Sequence, residues 1–116
     1  MARITTYEFG RMTVDGRPHT SDLILYPDGR VQGNWFRKAG HFLESADIRE
    51  LIRSTPNRII VGTGASGRMS VDPDLEAELK TAGIALDAMP TRQAVEAYNR
   101  LFGNETDLAA CFHLTC

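Results

Sequence analysis

A chain of 116 residues with 42% apolar side chains has enough material for one core and not two, so residues 1–116 are expected to form one domain. Thirteen Lys and Arg against fifteen Asp and Glu leave a net charge of -2. No basic run exceeds Arg37-Lys38, which argues against nucleic acid as a partner because phosphate contacts need clustered positive charge. The apolar runs are far shorter than a membrane span, and Met1-Ala-Arg-Ile lacks the layout of a signal peptide. The expectation is a cytoplasmic protein without a membrane partner.

The chain opens as strands and turns. Ile4 to Phe9 alternates weakly, Gly10 interrupts it, and Met12 to Val14 resumes before Asp15-Gly16, a strong two-residue hairpin signal. Asp22 to Tyr26 reads as a third strand entering the turn Pro27-Asp28-Gly29, and Arg30 to Phe36 returns as a fourth. Ser45 is expected to cap a helix through Ile48, Leu51 and Ile52 that Pro56 stops. Ile59 to Gly62 reads as a buried strand, since successive apolar positions leave no polar face.

A helix is predicted over 73–82, with Asp72 as N-cap, Pro73 at the first helical position, Leu75 and Leu79 one turn apart, and Gly83 just past the end. Ile84 to Leu86 is a short strand. Thr91 is expected to cap a further helix whose apolar stripe is Ala94, Val95, Tyr98, Leu101 and Phe102, ended by Gly103-Asn104. Leu108 to Leu114 is apolar on both faces, which predicts a central strand.

The resulting fold class is α/β with α+β character. A three-layer β+α/β/α arrangement follows, with a mixed central sheet and N-terminal antiparallel hairpins ahead of a βαβαβ half. The helices are expected on one face, with the hairpin ribbon and the Ser45 helix elsewhere.

The stretch Arg58-Ile-Ile-Val-Gly-Thr-Gly-Ala-Ser-Gly67 places Gly62, Gly64 and Gly67 at dinucleotide-loop spacing. A nucleotide fingerprint needs a helix opening on the glycines, with an acidic residue roughly 20 positions later. Asp87 falls near that distance, but the next helix start is Asp72-Pro73, so NAD and other cofactors are not expected. Backbone N–H groups of Gly62, Thr63, Gly64, Ser66 and Gly67, the Thr63 and Ser66 hydroxyls, and Arg68 suit a carboxylate or phosphate nest. The plainer reading is a tight strand exit with one or two glycines at positive φ.

If the Ile59 and Ile84 strands are parallel neighbours, the loop carrying Thr91 opens on the same edge, where ligands of open α/β sheets bind. Helix capping alone also accounts for Thr91. Asp22, Trp35 and His41, the last two flanking the charges of Arg37 and Lys38, are candidates for a pocket wall or partner surface, although such a Trp more often closes the edge of a core. His113 reads as a hydrogen-bonded core histidine, because no nucleophile elbow accompanies it. Cys111 and Cys116 lie at an odd separation that sends their side chains to opposite strand faces, so two free thiols are expected. His113 and Cys116 lack a second ligand pair, and no metal site is expected.

Tyr7-Glu-Phe-Gly10, Asp15-Gly16 with Asp22-Leu-Ile, Trp35 with Gly40-His41, Ile60-Val-Gly-Thr-Gly64, Pro90-Thr91 with Ala94 and Tyr98-Asn99, and His113-Leu-Thr-Cys116 occur in one order. Together they resemble the adipogenesis-associated, Mth-like domain, a family of unknown function that includes a mitochondrial complex I assembly factor. The resemblance covers nearly the whole chain and implies the same three-layer fold. It implies no catalytic residue and no cofactor. The expected function is a non-enzymatic binding or assembly module, a monomer or weak homo-oligomer, engaging a small anion or a protein partner. The alternative is an enzyme acting on a small anionic substrate bound at Gly62 to Arg68. That alternative requires at least one of Asp22, His41, Cys111 and His113 beside the glycine loop.

Overall fold

The computed structural model of the chain describes residues 3–116. Strands β1 (Ile4–Glu8), β2 (Arg11–Val14) and β3 (Arg17–His19) form an antiparallel ribbon in that order. Asp15 and Gly16 both take positive φ, 50° and 81°, the twist a two-residue hairpin requires. Ile4, Tyr7, Met12 and Val14 are buried between exposed neighbours, so the ribbon has one apolar side.

Strand β4 (Leu23–Leu25) is buried throughout, and β5 (Val31–Gln32) pairs with it across the Pro27-Asp28-Gly29 turn. The predicted strand Arg30 to Phe36 is cut short. Asn34 takes a φ of 51°, and the Trp35 N–H leaves the ladder to donate to the Asp22 carbonyl at 2.9 Å. Trp35 is thereby turned into the core at 3% exposure.

Beyond β6 (Phe42–Leu43), a 3-10 turn over Ser45–Ile48 runs into α1 (Arg49–Arg53). Its cap is Glu44 and not Ser45. Glu44 and Asp47 form a reciprocal capping box in which Asp47 Oδ2 accepts from the Glu44 N–H at 2.9 Å, answering two free N–H groups where one Ser hydroxyl answers one.

Strand β7 (Arg58–Thr63) is followed by β8 (Ser70–Val71), which pairs in parallel with β6. Helix α2 (Pro73–Ala82) starts as predicted, with Asp72 accepting from the Asp74 N–H at 3.0 Å, and ends at Gly83 in the left-handed region. Strand β9 (Ala85–Met89), helix α3 (Thr91–Leu101) and strand β10 (Leu108–His113) complete the chain. The N-cap of α3 is Pro90, and Thr91 occupies the first helical position without a capping bond.

The central sheet has the order β5-β4-β10-β7-β9. Strands β10, β7 and β9 are parallel, and β4 is antiparallel to β10. All six residues of β10 are buried, as a central strand covered on both faces requires. One face packs Leu25, Ile60, Ala110 and Phe112 against the ribbon and the Ala94, Ala97 and Tyr98 stripe of α3. The opposite face packs Ile59, Val61 and Cys111 against Trp35, Leu51 of α1, and Leu75 and Leu79 of α2. The expectation that the helices share one face is therefore wrong. The chain steps outward from β7 to β9 and back across β7 to β10, and two right-handed connections in opposite directions place α2 and α3 on opposite faces.

Candidate functional site

Strands β7 and β9 are parallel neighbours whose exits lead to opposite faces, which makes their carboxyl ends the switch point at which α/β sheets hold ligands. The glycine loop and Thr91 meet there. A Cβ at Gly62 would come 2.7 Å from the Phe112 ring and 2.9 Å from Thr91 Oγ1, so its absence lets α3 start against β7. Gly64 has a φ of 107° and packs against the backbone of Thr115 and Cys116.

Four backbone donors of this loop, those of Gly64, Ala65, Gly67 and Arg68, already point at oxygens of the chain itself. The Gly64 N–H donates to Thr91 Oγ1 at 2.8 Å, and the Thr91 N–H returns a bond to the Gly64 carbonyl at 3.0 Å. The Ala65 and Arg68 N–H groups donate to the carbonyls of Thr115 and Cys116 at 2.6 and 3.3 Å, and Gly67 donates to Gly64 at 3.1 Å. Thr91 Oγ1 donates onward to the His113 carbonyl at 2.6 Å. Gly62, Thr63, Gly64 and Thr91 are buried, while Ser66, Gly67 and Arg68 are exposed.

A polar cluster lies beside this junction on the α2 face. Thr63 is in register with His113, and Phe112 with Leu23, which brings Asp22 alongside His113. Asp22 Oδ2 accepts from His113 Nδ1 and Arg37 Nη2, each at 2.7 Å, and Oδ1 accepts from the Leu114 N–H at 2.8 Å. Arg37 also donates to the Gly40 carbonyl at 2.8 Å, and its guanidinium lies 4.7 Å over the Trp35 ring. The exposed His41 stands edge-on to His113 with ring centroids 5.4 Å apart. Trp35 itself donates from Nε1 to the Asp47 carbonyl at 2.9 Å, which anchors the strap over residues 34–41.

Burial by itself would raise the Asp22 carboxyl, but the Leu114 N–H, His113 and Arg37 outweigh it and hold its pKa below the usual value. Burial pushes the Cys111 thiol up to about 12, which removes it as a nucleophile near neutral pH. Arg37 and His113 side chains are only 4% and 9% exposed. Arg37 Nη1 and His113 Nε2 are both buried with no hydrogen-bond partner among the described residues. Groups of this kind are rare because each gives up its hydration without return.

Asp22, Trp35, His41 and His113 thus gather at one end of the sheet, next to the glycine loop, while Cys111 lies deeper on the same strand face. Arg37 stood out in the sequence only as one of two charges flanked by Trp35 and His41, and not as a site residue in its own right. Asp22 and His113 carried a signal, a polar residue at the end of an otherwise buried strand, whereas Arg37 sits in an irregular strap with no pattern. Among the described residues two large apolar side chains are exposed, Phe9 and Phe36. Among the described residues no group of three or more His, Cys, Asp or Glu is arranged to hold a metal, and no helix is long and apolar enough to cross a membrane.

The fold is a small three-layer domain with a mixed central sheet. The chain belongs to the family described as protein of unknown function (DUF498/DUF598), whose model matches residues 4–113. A conserved hypothetical protein of Pyrococcus horikoshii has the same fold at a TM-score of 0.86, with 24% identity over 98% of this chain and 99% of that one. The protein MT938 superposes at 0.82, with 24% identity over 100% of both chains. A Mth938-like domain of Bordetella pertussis gives 0.70 at 19% identity, over 97% of this chain and 85% of that one. The likeness to these three structures is one of fold.

Proposed function

We propose that this chain is a cytoplasmic, one-domain, non-enzymatic binding module that holds a small oxyanion where the carboxyl ends of β10 and β7 meet the strap over residues 34–41. The carrying observation is the buried guanidinium of Arg37, whose Nη1 lacks a partner beside the Asp22–His113 pair. A buried cation offering free N–H groups gains most from a charge-assisted bond to an oxyanion. The exposed Arg68, five residues beyond Thr63, and Lys38, next to Arg37, add positive charge at the two segments bordering the cluster. The glycine loop forms the wall of this site, because its amides are engaged with Thr91, Thr115 and Cys116.

Inorganic phosphate and acetate should each raise the melting temperature of the native protein. Arg68→Ala removes only an exposed charge and should leave the unliganded melting temperature unchanged. It should weaken binding by about 1.5 to 3 kcal/mol if the guanidinium bonds the anion. A native protein that responds to neither anion would overturn the proposal.

One observation favours a second reading, an enzyme acting on a small anionic substrate. A histidine whose Nδ1 is held by a carboxylate while Nε2 is bare has the geometry of a general base. Turnover of nitrophenyl phosphate that disappears in His113→Gln would support it, and no turnover by the native protein would sink it.

A further inference from the structure

We infer that the site selects an oxyanion carrying its own hydroxyl, of which hydrogen phosphate is the smallest, over oxyanions that only accept hydrogen bonds. The inference rests on the anion-binding reading above and goes beyond it by assigning His113 the task of discrimination. A carboxylate only accepts, so the 2.7 Å contact between Asp22 Oδ2 and His113 Nδ1 requires the hydrogen on Nδ1. Arg37 Nη2, 3.2 Å from the same nitrogen, is a second donor to Asp22 and not a partner for His113.

Arg37 already answers the charge of Asp22, and an imidazole that carries its one hydrogen on Nδ1 keeps Nε2 as an acceptor. Nε2 then presents a bare lone pair, while Arg37 Nη1 presents N–H groups, and both are buried without partners. An occupant that satisfies both must bring an acceptor to Arg37 and a hydrogen to His113. Sulfate and ionised carboxylates bring only acceptors. Hydrogen phosphate carries an anionic oxygen and a hydroxyl on one tetrahedral centre. A neutral alcohol or amide also offers both functions but draws nothing from Arg68 and Lys38. Both atoms are closed to solvent in the unliganded chain, so only a terminal group, admitted by movement of the strap over residues 34–41, reaches them.

The free ion and a phosphorylated small molecule share this chemistry, and protonation separates them. Inorganic phosphate keeps a hydroxyl throughout the neutral range, whereas a monoester loses its last one above about pH 6. The test is calorimetric titration of the native protein with inorganic phosphate, sulfate and methyl phosphate at pH 7.5, where all three are mainly dianions and only phosphate keeps a hydroxyl. Nitrogen NMR of the His113 imidazole is recorded alongside.

Phosphate should bind about tenfold or more tightly than sulfate, because a site built to accept a hydroxyl rejects the analogue lacking one. Phosphate should also move the Nε2 resonance toward that of a hydrogen-bonded acceptor, and sulfate should not. Methyl phosphate, which has lost its hydroxyl at this pH, should bind no more tightly than sulfate, which restricts the site to the free ion, and binding as tight as that of phosphate overturns discrimination by the hydroxyl. Equal binding of phosphate and sulfate overturns the inference and leaves the anion reading standing. Binding of none of them overturns both. The NMR readout needs no substitution in the cluster, so a variant that fails to fold cannot obscure the answer.

Discussion

Gly64 shows how much depends on a single missing side chain. Its φ of 107° lies where L-residues are strained, and a Cβ there would overlap the backbone of Cys116 and come 2.8 Å from the Thr115 carbonyl oxygen. Gly83 also has a positive φ, 76°, but a Cβ there meets nothing within 4 Å. Gly83→Ala should therefore cost about 1 kcal/mol, the conformational term alone. Gly64→Ala should cost roughly 3 kcal/mol, because strain and backbone overlap combine, or else should expel residues 115–116 from the loop. Urea midpoints give the costs, and the amide signals of Ala65 and Arg68 report expulsion. Equal losses for the two variants would mean that the packing against Thr115 and Cys116 carries no weight.

At the scale of elements, Thr91 joins three of them. Its hydroxyl accepts from the exit of β7 at Gly64 and donates to the end of β10 at His113, while its own position starts α3. It does not cap because Pro90 holds the N-cap position, and the Thr91 hydroxyl is turned across the sheet instead. Thr91→Val keeps the shape and strands a buried N–H and a buried carbonyl. The expected loss is about 2 to 4 kcal/mol. A change below about 1 kcal/mol in equilibrium unfolding would show that the junction holds without the hydroxyl. Because His113 sits on this junction, the same variant should also loosen the polar cluster.

At the scale of the molecule, the sheet divides the interior into two cores with no shared side chain. Ile4 belongs to the ribbon and α3 side, and Leu79 to the α1 and α2 side. Ile4→Val should cost about 0.5 to 1.5 kcal/mol and Leu79→Ala about 2 to 5 kcal/mol. In the double variant these should add to within about 0.5 kcal/mol, as expected of sites without common partners. A coupling above about 1 kcal/mol would mean that the two layers relax together through β10 and β7. The polar cluster lies on the α2 side of this partition, so ligand binding should stabilise that layer first.

The elements written in local chemistry were legible in the amino-acid order. Asp15-Gly16 dictates its hairpin through positive φ, Asp72-Pro73 and Gly83 delimit α2 through free N–H groups and a left-handed end, and the unbroken apolar runs of β7 and β10 require burial on both faces. Strands β6 and β8 were not legible, because two residues have no period. The side on which α3 packs depends on strand order, a property of the whole sheet. The site was legible only in part: Asp22, Trp35, His41 and the glycine loop stood out as candidates, and Arg37 only as a charge beside Trp35. Asp22 and His113 are 91 positions apart, and Arg37 and His113 are 76 apart. Residue order determined what each strand would bury. Tertiary structure alone decided which polar side chains would meet at its end, since no local periodicity records a contact closed by three separate segments.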